Sequence, residues 1–161
     1  MKNRLEQINE VMVGVIIGLC IFFIISNFFI PISIQGSSMS PTLYDGSRYI
    51  LKKNEYHDKN PERGDIVLFK LLGYYDDEYL VKRIIGLEGE SVEIRNNNIY
   101  INDKLFDEPY LYNPNNGSDM EKITLKEGEY FVMGDNRGNS VDSRDFGPVL
   151  KKELIGELIL R

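Results

Sequence analysis

Ser91-Val-Glu-Ile-Arg-Asn-Asn-Asn-Ile-Tyr-Ile-Asn102 reads as two short strands folded on one another. Apolar residues alternate with polar ones in Val92–Arg95 and again in Ile99–Ile101, the period of a half-buried strand. Asn96–Asn98 between them suit the backbone of a tight hairpin turn. The same signature recurs on both sides, at Ile32–Gln35, Tyr49–Lys52, Asp65–Phe69, Tyr79–Ile85, Tyr130–Met133 and Glu157–Leu160. After residue 31 no helical periodicity lasts three turns, and Lys151–Ile155 allows one short turn. Lys104–Asp119, with Pro109, Pro114 and the Asn/Gly residues of 113–117, is expected to be a long surface loop. The part of the chain after residue 30, about 130 residues, is long enough for one β-rich domain with its own core.

Upstream, Val11–Ile30 is apolar or glycine except at Ser26 and Asn27. As a helix this run is about 30 Å long, the thickness of a bilayer's hydrocarbon core. Pro31 is expected to end it. The alternative is a cleavable signal peptide, but its apolar region is usually about 7–15 residues, and no A-x-A-like site follows directly. An uncleaved anchor is the better reading. Lys2 and Arg4 precede the span and the next basic residue is Arg48, so residues 1–10 are expected in the cytoplasm and residues 31–161 outside.

Formal net charge is −6, and residues 1–10 are balanced, so the outer domain carries all of it. An acidic domain without a Lys/Arg cluster repels phosphate backbones, which argues against nucleic acid as a partner. Cys20, the single cysteine, lies in the apolar run, and His57, the single histidine, lies in a polar stretch. These exclude a disulfide within the chain and a cysteine-based metal site. No HExxH motif occurs, and no metal or organic cofactor is expected.

Three segments could carry chemistry, and each has a bland alternative. Ile34-Gln-Gly-Ser-Ser-Met-Ser-Pro-Thr-Leu43 offers serines beside a glycine that lets another backbone approach, though the composition also suits a linker leaving the membrane. Tyr79-Leu-Val-Lys-Arg-Ile-Ile-Gly86 puts a charge on each face of an otherwise apolar strand. Burial there would lower the lysine's pKa from about 10.4 and make it a base, unless it snorkels at a sheet edge. Met133–Val149 spaces Asp135 from Arg137 and Asp142 from Arg144 by two residues, as a polar network or as an ordinary Gly/Asn-rich loop.

Together these segments resemble the signature boxes of bacterial type I signal peptidases, in family order after a single N-terminal span. Gly36–Leu43 is similar to the nucleophile box, Tyr79–Gly86 to the lysine box and Gly134–Arg144 to the closing box; Arg63–Phe69 resembles the strand box before the lysine. The resemblance implies Ser38 as nucleophile and Lys82 as general base. It also implies that Ser140 hydrogen-bonds and orients Lys82, that Asp142 pairs with Arg144, and that Asp135 meets Arg83. Some relatives have serine where this chain has Gly36, so the oxyanion hole would use the Ser38 amide and another group. Lysine at position 82 fits the bacterial or organellar type, and the short segment between residues 86 and 129 fits a minimal, Gram-positive-like form.

The same resemblance implies a mostly β fold: an antiparallel β-sheet catalytic domain of signal-peptidase type with one N-terminal transmembrane helix at residues 11–30. The site would face the bilayer. The substrate would be a secreted preprotein with a cleavable signal peptide, bound extended, with alanine-like residues at the first and third positions before the cut. Two rivals remain. A self-cleaving repressor of the DNA-damage response also uses serine and lysine but would lack the anchor. A membrane-tethered β-domain that only binds partners would explain the anchor, though not the conjunction of boxes.

Overall fold

The computed structural model describes residues 3–71, 79–111 and 119–160. It opens with helix α1 (Arg4–Phe28), whose residues 8–28 are long and apolar enough to cross a membrane. From residue 8 its side chains stand exposed all round rather than along one face, as in a helix with no protein core to meet. The two polar interruptions are satisfied within the helix, because Ser26 Oγ and Asn27 Nδ2 both donate to the Phe23 carbonyl, at 3.0 and 2.7 Å. The helix stops at Phe28, before the expected limit at Ile30. Strand β1 (Phe29–Ser33) begins at once and runs through Pro31, which faces Ile50 of β2 (Arg48–Lys53). β1 is an edge strand, where a missing N–H is tolerated, so the proline sits inside a strand instead of ending a helix.

The remaining elements are β3 (Ile66–Lys70), β4 (Tyr79–Gly86), β5 (Ser91–Arg95), β6 (Asn98–Ile101), β7 (Lys104–Leu105), β8 (Met120–Thr124), β9 (Glu129–Met133), α2 (Ser143–Phe146), β10 (Val149–Leu150), a 3-10 turn (Lys151–Glu153) and β11 (Leu154–Ile159). Among the described residues these strands, with β1 and β2, form two antiparallel sheets, one of seven strands in the order β1-β2-β11-β3-β4-β9-β10 and one of four in the order β7-β6-β5-β8. The hairpin at Ser91–Asn102 forms as read: Arg95 faces Asn98, and Asn96 and Asn97 both take positive φ, the backbone of a type I′ turn. Asn102 and Asp103 repeat that geometry and turn β6 into β7.

The expected surface loop at 104–119 is therefore partly structured. It starts with β7, and Phe106 and Tyr110 pack onto the apolar cluster between the two sheets; residues 112–118 lie outside the described residues. β11 starts three residues earlier than expected, because a register shift between Leu154 and Gly156 breaks the alternation.

Alternation in β3 sends Val67 and Phe69 to one apolar cluster, with Ile84 and Val132, and Ile66 and Leu68 to another, with Met39, Leu43 and Leu51. A third cluster joins the sheets, with Ile85, Phe131 and Met133 from the larger meeting Val92, Ile94 and Ile99 from the smaller. Gly86 sits at this junction. A Cβ there would stand 2.6 Å from the Val92 side chain and 2.8 Å from that of Leu125, so no larger residue fits without repacking.

Candidate active site

After β1 the chain turns at Gly36, which has φ +84° and whose amide donates to Asp45 Oδ1 at 2.8 Å. Ile34 on one side of the turn and Met39 and Leu43 on the other are buried in the same cluster, so Ser38 is carried on a short loop with both ends anchored. The turn after β9 clamps this loop: the Asn136 amide donates to the Ser38 carbonyl at 2.9 Å. Asn136 Nδ2 reaches the Ser37 carbonyl at 3.1 Å, and Asn139 Nδ2 reaches Ser37 Oγ at 2.7 Å. Gly134 allows the approach, since a Cβ there would lie 2.5 Å from the Ser38 carbonyl oxygen and 2.2 Å from Ser140 Oγ.

Lys82 arrives from β4. Its Nζ donates to Ser38 Oγ at 2.8 Å, and the residue is 3 % exposed, whereas Ser38 is only half-buried. Arg83 follows it and is fully engaged. It grips Asp135 with two hydrogen bonds, Nε to Oδ1 at 2.8 Å and a terminal nitrogen to Oδ2 at 2.6 Å, and it donates to the Gly64 carbonyl. Thr42 Oγ1 donates to the same carboxylate at 2.5 Å. Buried charges are tolerable when paired and hydrogen-bonded in this way.

Asp142 is fully buried and has three tasks. It accepts Arg144 Nε and a terminal nitrogen, both at 2.8 Å; it accepts the Gly134 amide at 3.0 Å; and it caps α2 in a capping box with Asp145. The pairs of Asp135 with Arg83 and of Asp142 with Arg144 thus both form. The bond from Ser140 to Lys82 is absent from this arrangement: Ser140 Oγ is packed against Gly134 and has no hydrogen-bond partner among the described residues.

Arg137 does not turn to Asp135, its neighbour but one. It pairs with Glu108 from the segment after β7, donating to Oε2 at 2.8 Å and also to Oε1, while its Nε holds the Gly134 carbonyl at 3.0 Å. Burial works against this cation, but the Glu108 carboxylate more than offsets that and holds its pKa above the ordinary value. Tyr110 donates to Glu108 Oε1 at 2.5 Å and lays its ring over the Arg83 guanidinium, 4.1 Å from the ring centroid. Neither Glu108 nor Tyr110 is marked by any motif in the sequence, and neither are the contacts of Thr42, Asn136 and Asn139. Arg137 carries a signal in its spacing from Asp135, but its partner lies 29 residues away.

A groove of about 500 Å³ opens beside Ser38 and Lys82, walled by residues 32–35 on one side and by Tyr79, Leu80 and Val81 on the other. β9 pairs with β4 only from Arg83 onward, so these β4 residues lack a β9 partner on that edge. His57 belongs to a different region, bonded to Asp58 with both side chains exposed.

The chain matches the family model described as signal peptidase, peptidase S26, over residues 7–161. It is 36 % identical to signal peptidase I P of Bacillus subtilis subsp. natto, over 96 % of this chain and 89 % of that one. It is 39 % identical to signal peptidase I of Bacillus amyloliquefaciens (89 % and 79 % covered) and 34 % identical to signal peptidase IB of Staphylococcus aureus strain COL (97 % and 90 %). The crystal structure of a signal peptidase I from Enterococcus faecalis V583 superposes with a TM-score of 0.55 at 37 % identity, covering 63 % of this chain and 98 % of that one. The fold, the apolar N-terminal helix and these likenesses agree: the chain belongs to the signal peptidase I family of serine endopeptidases, peptidase family S26.

Proposed function

We propose that this chain is a membrane-anchored endopeptidase that removes signal peptides from secreted preproteins with a Ser38/Lys82 dyad. The observation that carries this reading is the 2.8 Å contact between Lys82 Nζ and Ser38 Oγ, with the lysine almost wholly buried. Burial favours the uncharged amine, and an amine at this distance can take the serine's proton. Ser38 Oγ then attacks the scissile carbonyl carbon, and the protonated Lys82 returns the proton to the leaving amine. In the second half Lys82 takes a proton from water as the water oxygen attacks the Ser38 ester carbonyl; the ester C–O bond then breaks, Lys82 returns that proton to Ser38 Oγ, and the new acid leaves and ionises in solvent. Among the described residues nothing accepts the Ser38 amide, which is available for the developing oxyanion.

The preprotein segment would lie extended in the groove, bonded through its main chain to the open edge of Tyr79–Val81. Gly36 follows directly on the wall formed by residues 32–35, and a Cβ there would meet nothing within 4 Å. Arg83 with Asp135, and Asp142 with Arg144, serve as supporting pairs. Lys2 and Arg4 before the span favour a cytoplasmic N-terminus, residues 11–30 within the membrane and an extracytoplasmic peptidase domain from residue 31.

The test is cleavage of a purified preprotein by the Ser38→Ala variant in detergent micelles. Complete loss with the fold retained is the expected result. Residual cleavage near the unmodified rate would remove Ser38 from the chemistry.

A further inference from the structure

The proposed chemistry needs Lys82 and Ser38 held at fixed separation, and the groups that hold them are themselves held from the smaller sheet. Arg83, next to Lys82 in β4, carries the Tyr110 ring on its guanidinium face. The turn that clamps the Ser38 carbonyl through the Asn136 amide is fixed one residue on by Arg137, which bonds the Gly134 carbonyl and Glu108. Both lines end on one short segment, because Tyr110 donates to Glu108. The Glu108 and Arg137 side chains are 9 % and 4 % exposed, so this ion pair is deeply enclosed. Phe106, at the start of the segment, packs in the cluster between the sheets. Neither Glu108 nor Tyr110 bonds to Ser38 or Lys82; both act at one remove.

We propose that Glu108 and Tyr110 are positioning residues for peptide-bond cleavage: Tyr110 steadies Arg83 beside the base, and Glu108, through Arg137, steadies the turn that grips the nucleophile. This rests on the reading of Ser38 and Lys82 as the dyad. The physical basis is that catalytic geometry must be held to about 0.5 Å by neighbours that are themselves locked. Removing the Glu108 charge leaves Arg137 buried without its counter-ion, a strongly unfavourable state that is relieved only by rearrangement around Arg137, which holds the Gly134 carbonyl. Burial and the Glu108 carboxylate both favour the protonated phenol of Tyr110, which keeps its O–H donating to Glu108.

The experiment measures kcat and KM for preprotein cleavage by the full chain in detergent, with thermal unfolding alongside, for Glu108→Gln, Tyr110→Leu and Tyr110→Phe. Glu108→Gln and Tyr110→Leu are expected to lower kcat about tenfold or more with KM within about twofold, as for small misplacements of reacting groups. Tyr110→Phe keeps the ring on Arg83 and should recover most of the kcat lost in Tyr110→Leu. An unchanged kcat in variants that merely melt earlier overturns the proposal and leaves the segment a structural strut. A loss confined to KM also overturns it, making the segment a substrate contact. If Tyr110→Leu does not fold, Glu108→Gln decides. Ser38→Ala is run beside them: activity in that variant sinks the dyad reading, whereas an inactive Ser38→Ala with an unimpaired Glu108→Gln sinks only the positioning role.

Discussion

A lysine that donates to a serine cannot at the same moment accept its proton, so in the proposed dyad the 2.8 Å contact between Lys82 and Ser38 would be productive only once the amine is neutral. Cleavage should therefore rise with pH along a limb lying below the value of about 10.4 for a free lysine, since burial disfavours the ammonium. Lys82→Arg tests the same point without changing the charge of the protonated state. A guanidinium stays protonated below pH about 12, so this variant should be inactive in preprotein cleavage while circular dichroism shows the native fold. Substantial activity would mean that position 82 supplies only a positive charge. Two tyrosines make a separate pH prediction about stability. Burial first, and then a carboxylate that accepts from the hydroxyl (Asp65 for Tyr56, Glu108 for Tyr110), push both phenols well above their ordinary value. The folded form thus keeps protons that the unfolded chain releases near pH 10, so this contribution is complete below about pH 10 and shrinks as pH rises past it. Urea midpoints should fall between about pH 9 and 11, and Tyr56→Phe should flatten that fall. An equally steep fall in the variant would assign the alkaline loss to other groups.

Elements differ in how much of them the residues announce. The Ser91–Asn102 hairpin is legible because alternation and turn chemistry agree locally: period two on both sides, and asparagines where φ must be positive. β7 and β10, of two residues each, are too short to show any period. β8, Met120-Glu-Lys-Ile-Thr124, spaces its apolar residues by three, and a register shift along its pairing with β5 accommodates them. α2 is a single turn made by its cap, which no helical periodicity could reveal. That cap, Asp142, also holds Arg144 and the Gly134 amide, so one side chain ties an element to the site. Asp142→Ala removes a buried charge partner together with a cap and should cost about 3–5 kcal/mol in denaturant unfolding. Asp142→Asn keeps an oxygen for the cap and should cost less. Equal costs for the two would tie the loss to the charge, which both variants lack, and leave the cap without a measurable share.

Taken whole, the molecule assembles its site from segments far apart in the chain: 44 residues separate Ser38 from Lys82, and 52 separate Arg83 from Asp135. Composition and periodicity are local and cannot show such meetings; the resemblance of the boxes supplied them, and only for residues inside the boxes. Glu108 and Tyr110 stand in a stretch that reads as loop, and their role depends on how the smaller sheet docks on the larger. The N-terminal helix is the opposite case: its apolar run is legible, although the helix begins at Arg4, seven residues before that run, and ends two residues early, where Phe29 and Ile30 join β1. Its relation to the domain yields the final prediction. From residue 8 α1 exposes its apolar side chains all round, and its main contacts with the rest are at the adjoining β1 and β2. Among the described residues none of the three apolar clusters includes a residue of α1, and the bond from Lys82 to Ser38 does not involve it. A chain starting at Phe29 should therefore fold with an unchanged unfolding midpoint and cleave a signal-peptide substrate in detergent solution. The same truncated chain should lose most of its rate on preproteins embedded in lipid vesicles, because the anchor raises the local concentration of site and substrate in one plane. The comparison is kcat/KM for both chains in the two settings. A truncated domain that unfolds would make the helix part of the fold, and equal rates in vesicles would deprive the anchor of its role in bringing the site to its substrate.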